Sequence, residues 1–279
     1  MLVLPYIIWA GNRSSSLGAD TGAYMAMYSE LPSSILGIGS YLTSVTKDKG
    51  FTILSIIIKS VLGDSTLIFF SLIAIFQMIC MVRIFRKYSD SYWISIFLFV
   101  VSTDYTSWML NGMRQFIAVT MIFACFDWIV EKNYVPLICV ILLASTIHGS
   151  ALLMLPIIFV VQGEAWNKKT ILVIIVAMII ITYIDQFTPL LDNMLAETQY
   201  SDMITNEIWT NDNGTNAIRV LVYSVPALMS FVGRKYVKAA NNQMINVCVN
   251  CSIITMALYL VAMVSSGLYV GRLPIYTTL

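Results

Sequence analysis

Histidine occurs once in the 279 residues, at His148, and charged side chains make up only 11% of the chain. Soluble domains carry about 25% charge, so the polar side chains needed to cover a water-facing surface are missing. The net charge is +1 and no basic residues gather into a face. A nucleic-acid partner calls for such a face and is excluded. A lone histidine among scattered acidic residues implies neither a metal site nor a cofactor. The five cysteines (Cys80, Cys125, Cys139, Cys248, Cys251) lie in or beside apolar stretches. Cys248-Val249-Asn250-Cys251 matches C-x-x-C but lacks the second pair or clustered histidines of a zinc or redox site, so these read as packing cysteines. The leading apolar run 1–10 has no basic segment before it, so no cleavable signal peptide is visible in these residues. That run is also short of the roughly 20 residues a crossing needs; it reads as a short helix, or as the end of a longer run if the natural chain begins before Met1.

What is present is apolar: 58% hydrophobic residues and a mean hydropathy of +0.81. The fold class expected is all-α, a polytopic transmembrane helical bundle with short or broken helices and external loops. It is expected to form a single integral membrane domain over 1–279. A polar segment, 11–50, carries Arg13, Gly18, Asp20 and Tyr24 and is too varied for a disordered linker. The apolar run 51–62 is short enough to be re-entrant or interfacial, with Lys59 snorkelling to the surface. Further runs predict helices near 66–82, 92–103, 112–130, 170–184, 218–232 and 246–265. Trp9, Trp93, Trp108, Trp166 and Trp209 fall near their ends as an aromatic belt. Pro136, Pro156 and Pro226 read as tolerated kinks.

Charge sets the threading. The short basic clusters are Arg83/Arg86/Lys87, Lys132, Lys168/Lys169 and Arg234/Lys235/Lys238. All become cytoplasmic, as the positive-inside rule asks, only if 134–161 goes out and returns as two half-helices turning near His148. The loop 187–217 is then external. It carries Asp192, Glu197, Asp202, Glu207 and Asp212 without Lys, and its Asn213-Gly214-Thr215 fits a glycosylation sequon.

In this threading Arg13, Arg114, Arg219 and Arg272 each fall at the external end of an apolar run, beside His148. Arginine's planar fork matches phosphate oxygens in two-point contacts, so four of them at the outer boundary suit a lipid-linked phosphate or pyrophosphate. The competing reading is that each snorkels to headgroups or neutralises an acidic loop residue. An ordinary imidazole titrates near pH 6.5, which suits His148 to moving a proton. Alternatively it is a hydrogen-bonded residue that breaks a helix. Asp20 and Asp104 are external carboxylates able to act as a base or orient a sugar hydroxyl, or simply solvated. Asp127, Glu131 and Lys132 close the cytoplasmic end of the Arg114 helix as local ion pairs.

Two elements, Asn111-x-x-Arg114-Gln115-x-x-Ala118 and Ala144-x-x-x-His148-x-Ser150, resemble the EpsG-like branch of the Wzy-type bacterial polysaccharide polymerases. Upstream, Arg13…Gly18-Ala19-Asp20-x-x-x-Tyr24 resembles that family's first external loop; 51–54 and Arg272…Tyr276 fit less specifically. The resemblance implies a multi-pass glycosyltransferase of the bacterial cytoplasmic (inner) membrane. It would polymerise undecaprenyl-pyrophosphate-linked oligosaccharide repeat units into exopolysaccharide or O-antigen on the external face. It implies catalytic roles for Arg114, His148 and Asp20, and substrate contacts from Arg13, Tyr24, Asn111, Gln115, Ser150, Arg219 and Arg272. Implied partners are the lipid-linked substrate, the bilayer, and a chain-length regulator and flippase of the same pathway. Members of that family run longer, so the chain is expected to be incomplete at one or both ends. Two other classes compete. A membrane acyltransferase that modifies polysaccharide would need His148 within reach of a cytoplasmic donor. A transporter or flippase of lipid-linked sugars would show internal repeats and charge through the bilayer centre.

Overall fold

The computed structural model describes residues 3–184, 214–267 and 269–278. Every described element is a helix, and the chain forms two compact units, Met1–Leu152 and Leu153–Leu279. Two helices, Thr66–Tyr88 and Gln243–Val264, are long and apolar enough to cross a membrane. Two bent pairs, Tyr92–Val101 with Thr103–Leu110 (65°) and Ala217–Val232 with Arg234–Ala240 (73°), make four crossings if each pair counts as one. This is an all-α membrane protein with broken helices.

The first unit is built from α1 (Leu4–Gly11), α2 (Thr21–Glu30), α3 (Ile38–Leu42), α4 (Lys49–Leu62), α5 (Thr66–Tyr88), α6 (Tyr92–Val101), α7 (Thr103–Leu110), α8 (Met113–Phe123), α9 (Phe126–Val130) and α10 (Tyr134–Ile147). At about 1.5 Å per residue, the 23 residues of α5 are its one long strut. Ser65 caps the start of α5 by accepting from the Ile68 amide, and Arg86 and Lys87 complement the dipole at its end. The run expected to stop near Val82 therefore continues through the basic cluster to Tyr88. The helix α8 is apolar nearly all round and is enclosed by α5 and α10. Tyr24, Tyr28, Phe51, Phe69, Phe70, Met113 and Ile117 form the core beside it.

Three sequence expectations change here. Lys59 does not snorkel: it is 3% exposed and its ammonium donates to the carbonyls of Tyr28 (2.9 Å) and Ser29 (2.7 Å), with Asp64 at 3.4 Å. Those carbonyls are at the C-terminal end of α2, where orphan acceptors attract a cation. Charge-assisted bonds of this kind contribute about 1.5–3 kcal/mol each, which offsets the desolvation. The single run expected over 112–130 is two helices, broken at Ala124–Cys125. The run 92–103 continues after its bend to Leu110. The break expected near His148 is present: its backbone is extended (φ −154°, ψ 118°), between α10 and a 3-10 turn at Gly149–Leu153.

The second unit contains α11 (Met154–Val160), α12 (Lys168–Thr182), α13 (Ala217–Val232), α14 (Arg234–Ala240), α15 (Gln243–Val264) and α16 (Ile275–Thr278). Its spine is α15, against which α12 and α13 pack through Ala227, Ile253 and Met256. Asn250 fixes one end: it donates to the Val161 carbonyl (2.9 Å) and accepts from the Trp166 amide (3.3 Å). Trp166 donates its indole N–H to Ser230 (3.1 Å), so it clamps this unit rather than only lining a boundary. At the other end the Thr215 amide donates to the Ala262 carbonyl (2.9 Å). The acidic stretch 187–213, with Trp209 and the sequon's Asn213, lies outside the described residues.

Candidate functional site

The site grows from the start of α4. Asp48 takes the N-cap position in the left-handed region (φ 53°, ψ 42°), but its side chain does not cap the helix. Instead Oδ2 accepts from Arg114 Nη1 at 2.8 Å, and Oδ1 lies 3.8 Å from His148 Nδ1. The Asp48 side chain is 10% exposed, His148 23% and Arg114 41%. One carboxylate is thus nearly enclosed between a half-open guanidinium and an imidazole.

Local backbone geometry makes this possible. Arg114 sits in the first turn of α8, and His148 is the extended residue that ends α10. Here α4 and α10 approach so closely that a Cβ on Gly50 would lie 2.8 Å from the Thr146 carbonyl oxygen. Only glycine lets the chain start α4 there, two residues after Asp48. Aromatic rings hold the guanidinium from behind: its carbon is 5.9 Å from the Tyr24 centroid and 6.0 Å from that of Phe51. Those two rings meet edge to face at 6.1 Å. The N-terminal end of α8 adds its partial positive charge beside Arg114. A permanent cation, partly open and backed by π faces, is suited to an anionic oxygen, and the adjacent imidazole can take a proton.

The loop before α2 is tied to the same helix. Asn111 accepts from the Ala19 amide (2.8 Å) and donates to Ser107 (3.2 Å). Gly18 adopts φ +75°, and a Cβ there would lie 3.1 Å from Asn111 Cγ. Asn111 is therefore the clasp that joins the Gly18-Ala19-Asp20 loop to the turn before Arg114. Asp20 stays half-exposed at the start of α2; the carboxylate that meets Arg114 and His148 is that of Asp48. Sequence reasoning missed Asp48. Its available signal was an Asp-x-Gly step directly before an apolar run, which reads as an ordinary helix cap.

Arg13 is 6% exposed. Its guanidinium lies 3.7 Å over the Phe70 ring and donates to the Met109 carbonyl (3.4 Å) and the Met113 sulfur (3.2 Å). Burial lowers its pKa to about 10, with Tyr24 working the other way, so it remains charged at neutral pH. Gln115 is buried, and Ser150 is half-buried in the turn after His148.

A second charged cluster lies at the opposite end of this unit. Asp127 on α9 binds Lys87 (2.7 Å), takes a hydrogen bond from the Tyr88 hydroxyl, and lies 3.9 Å from Arg83. Burial pushes the Asp127 carboxyl up, but the bonds from Lys87 and Tyr88 outweigh it and hold the pKa below the ordinary value. Asp127 thus pairs across to α5 rather than within its own helix. The Met113 carbonyl, next to Arg114, accepts from Gln77 at 3.5 Å, and Gln77 lies ten residues before Lys87 on the unbroken α5, about 15 Å of helix. Arg83 and Lys87 therefore occupy one end of the unit, and Arg114 and His148 the other.

Residues 1–279, the whole chain, match the EpsG family. The chain belongs to the EpsG family. It is accordingly a membrane protein of polysaccharide biosynthesis. No curated protein and no solved structure matches it. In this EpsG-family protein, the two elements that carried the sequence resemblance meet at one carboxylate in the first unit. Arg219 and Arg272 belong to the second unit. Both are exposed: Arg219 in the first turn of α13, and Arg272 in a 3-10 turn at Val270–Arg272. The link between Thr215 and Ala262, with Gly271 packed near Thr215, brings those two elements to the same end of that unit.

Proposed function

We propose that this protein is the polymerase that joins undecaprenyl-pyrophosphate-linked oligosaccharide repeat units, working on the external face of the cytoplasmic membrane. The observation that carries this reading is the meeting of Arg114 and His148 at Asp48. In the reaction the bond between the anomeric carbon of the growing chain and its diphosphate oxygen breaks. The electron pair leaves on the diphosphate. The acceptor sugar's hydroxyl oxygen forms the new glycosidic bond, and its proton passes to His148. Arg114 binds the diphosphate and stabilises the charge that develops on it, a contact that strengthens in the transition state. Tyr24 backs Arg114, Asn111 holds the first loop, and Gln115 and Ser150 flank the two reacting groups in sequence. Arg13, Arg219 and Arg272 complete the set that the resemblance assigns to substrate, and Asp20 is the further residue to which it gives a catalytic role. A chain-length regulator and a flippase of the same pathway are the protein partners that the resemblance implies.

A glycan profile of a deletion strain tests this reading. Complementation with the wild-type gene is expected to restore long chains, and the strain without it to accumulate single lipid-linked repeats on the outer face. Repeats trapped inside would identify a flippase. Long chains lacking only acyl groups would identify a modifying acyltransferase.

A further inference from the structure

We infer that Asp48 is the positioning residue of the site, selecting the Nδ1–H form of His148 so that Nε2 carries the lone pair offered to the acceptor hydroxyl. The inference rests on the polymerase reading and adds to it a residue that neither the sequence pattern nor the family match assigns.

Geometry carries it. Asp48 has two oxygens and two partners: Arg114 holds Oδ2 at 2.8 Å, which leaves Oδ1 facing His148 Nδ1 at 3.8 Å. That second distance is longer than a hydrogen bond. Catalytic contacts commonly tighten when substrate binds, and about an ångström of closure brings Oδ1 within hydrogen-bonding distance of Nδ1. An ionised carboxylate only accepts, so the nitrogen turned toward it is the one that bears the proton. The other charged residues on the elements meeting here are Lys49, which is exposed, Lys59, which is held by the Tyr28 and Ser29 carbonyls, and Arg114, which is a donor. The same logic governs the carboxylate of a serine-protease triad, which fixes the tautomer of its histidine.

The arrangement makes Asp48→Asn unusually informative. Asparagine tolerates the left-handed backbone that Asp48 adopts at φ 53°, and its side chain has the same shape. Arg114 can only donate, so the amide oxygen must turn to Arg114. The amide N–H₂ then faces His148 Nδ1 and forces the proton onto Nε2.

The test uses the intact protein in lipid nanodiscs with ¹⁵N-labelled imidazole. His148 is the only histidine, so its resonances need no assignment. The wild type is expected to show mostly Nδ1–H at a pH where the ring is neutral, and Asp48→Asn mostly Nε2–H. In the complemented strain, polymer formation should fall on the order of a hundredfold or more with Asp48→Asn, and Asp48→Glu should recover part of it. The same tautomer in both folded proteins would overturn the inference while leaving the polymerase reading standing. A tautomer switch without loss of polymer would remove His148 as the base, and with it both the role of Asp48 and the proton path proposed above.

Discussion

Arg114→Ala is expected to abolish polymer while lipid-linked single repeats accumulate, at unchanged protein level in the membrane. The guanidinium is 41% exposed and backed by Tyr24 and Phe51, so its open side can receive two oxygens of a diphosphate. Losing one preorganised donor to developing charge costs about 10²–10³ in rate. Chain growth compounds that loss, because every added repeat must outrun release of the chain. Arg114→Lys keeps the charge but not the planar fork, and should give short chains in reduced amount. The main structural cost is an Asp48 carboxylate left without its closest partner. That cost is limited because Arg114 is the half-exposed partner, and removing its side chain lets water reach the carboxylate. Normal chain length in Arg114→Ala would remove the diphosphate contact from the account.

Gly50→Ala should be almost as damaging, though residue 50 needs no contact with substrate. The added methyl would lie 2.8 Å from both the carbonyl oxygen and the Cβ of Thr146. Neither is the end of a flexible chain, so α4 and α10 must separate. Overpacking of this kind costs about 1–3 kcal/mol, enough to displace Asp48 from Arg114 and His148 without unfolding the unit. The expected result is a protein that still accumulates in the membrane, forms little polymer and shows a mixed His148 tautomer. Gly39→Ala is the control: nothing lies within 4 Å of a Cβ at that position, and it should behave as wild type. Equal activity in the two variants would show that the close approach of α4 to α10 does not matter.

The residues that mattered locally were legible in the sequence, and those that mattered through distant partners were not. Arg114 and His148 stood out because polar groups interrupt apolar runs there, and the break at His148 follows from the same contrast. Gly18 and Asn111 could be suspected separately, but that one is shaped to the other is visible only in the fold. Asp48 looked like a helix cap, because its two partners lie far along the chain and its left-handed backbone leaves no mark in composition. Lys59 misled for a related reason. A lysine in an amphipathic run normally reaches for water, but here the orphan carbonyls of α2 are nearer. The break at Ala124–Cys125 carries no proline or glycine to announce it. The extension of α5 to Tyr88 depends on basic side chains that satisfy both a helix end and Asp127.

The central claim is that this chain itself joins repeat units. Purified protein in liposomes, given the lipid-linked repeat unit of its own host, tests that most directly by mass spectrometry of the products. Dimers and longer chains with stoichiometric release of the lipid diphosphate are expected from the wild type, and none from Arg114→Ala. Repeat units recovered unchanged, moved across the bilayer or acylated but never joined, would contradict it.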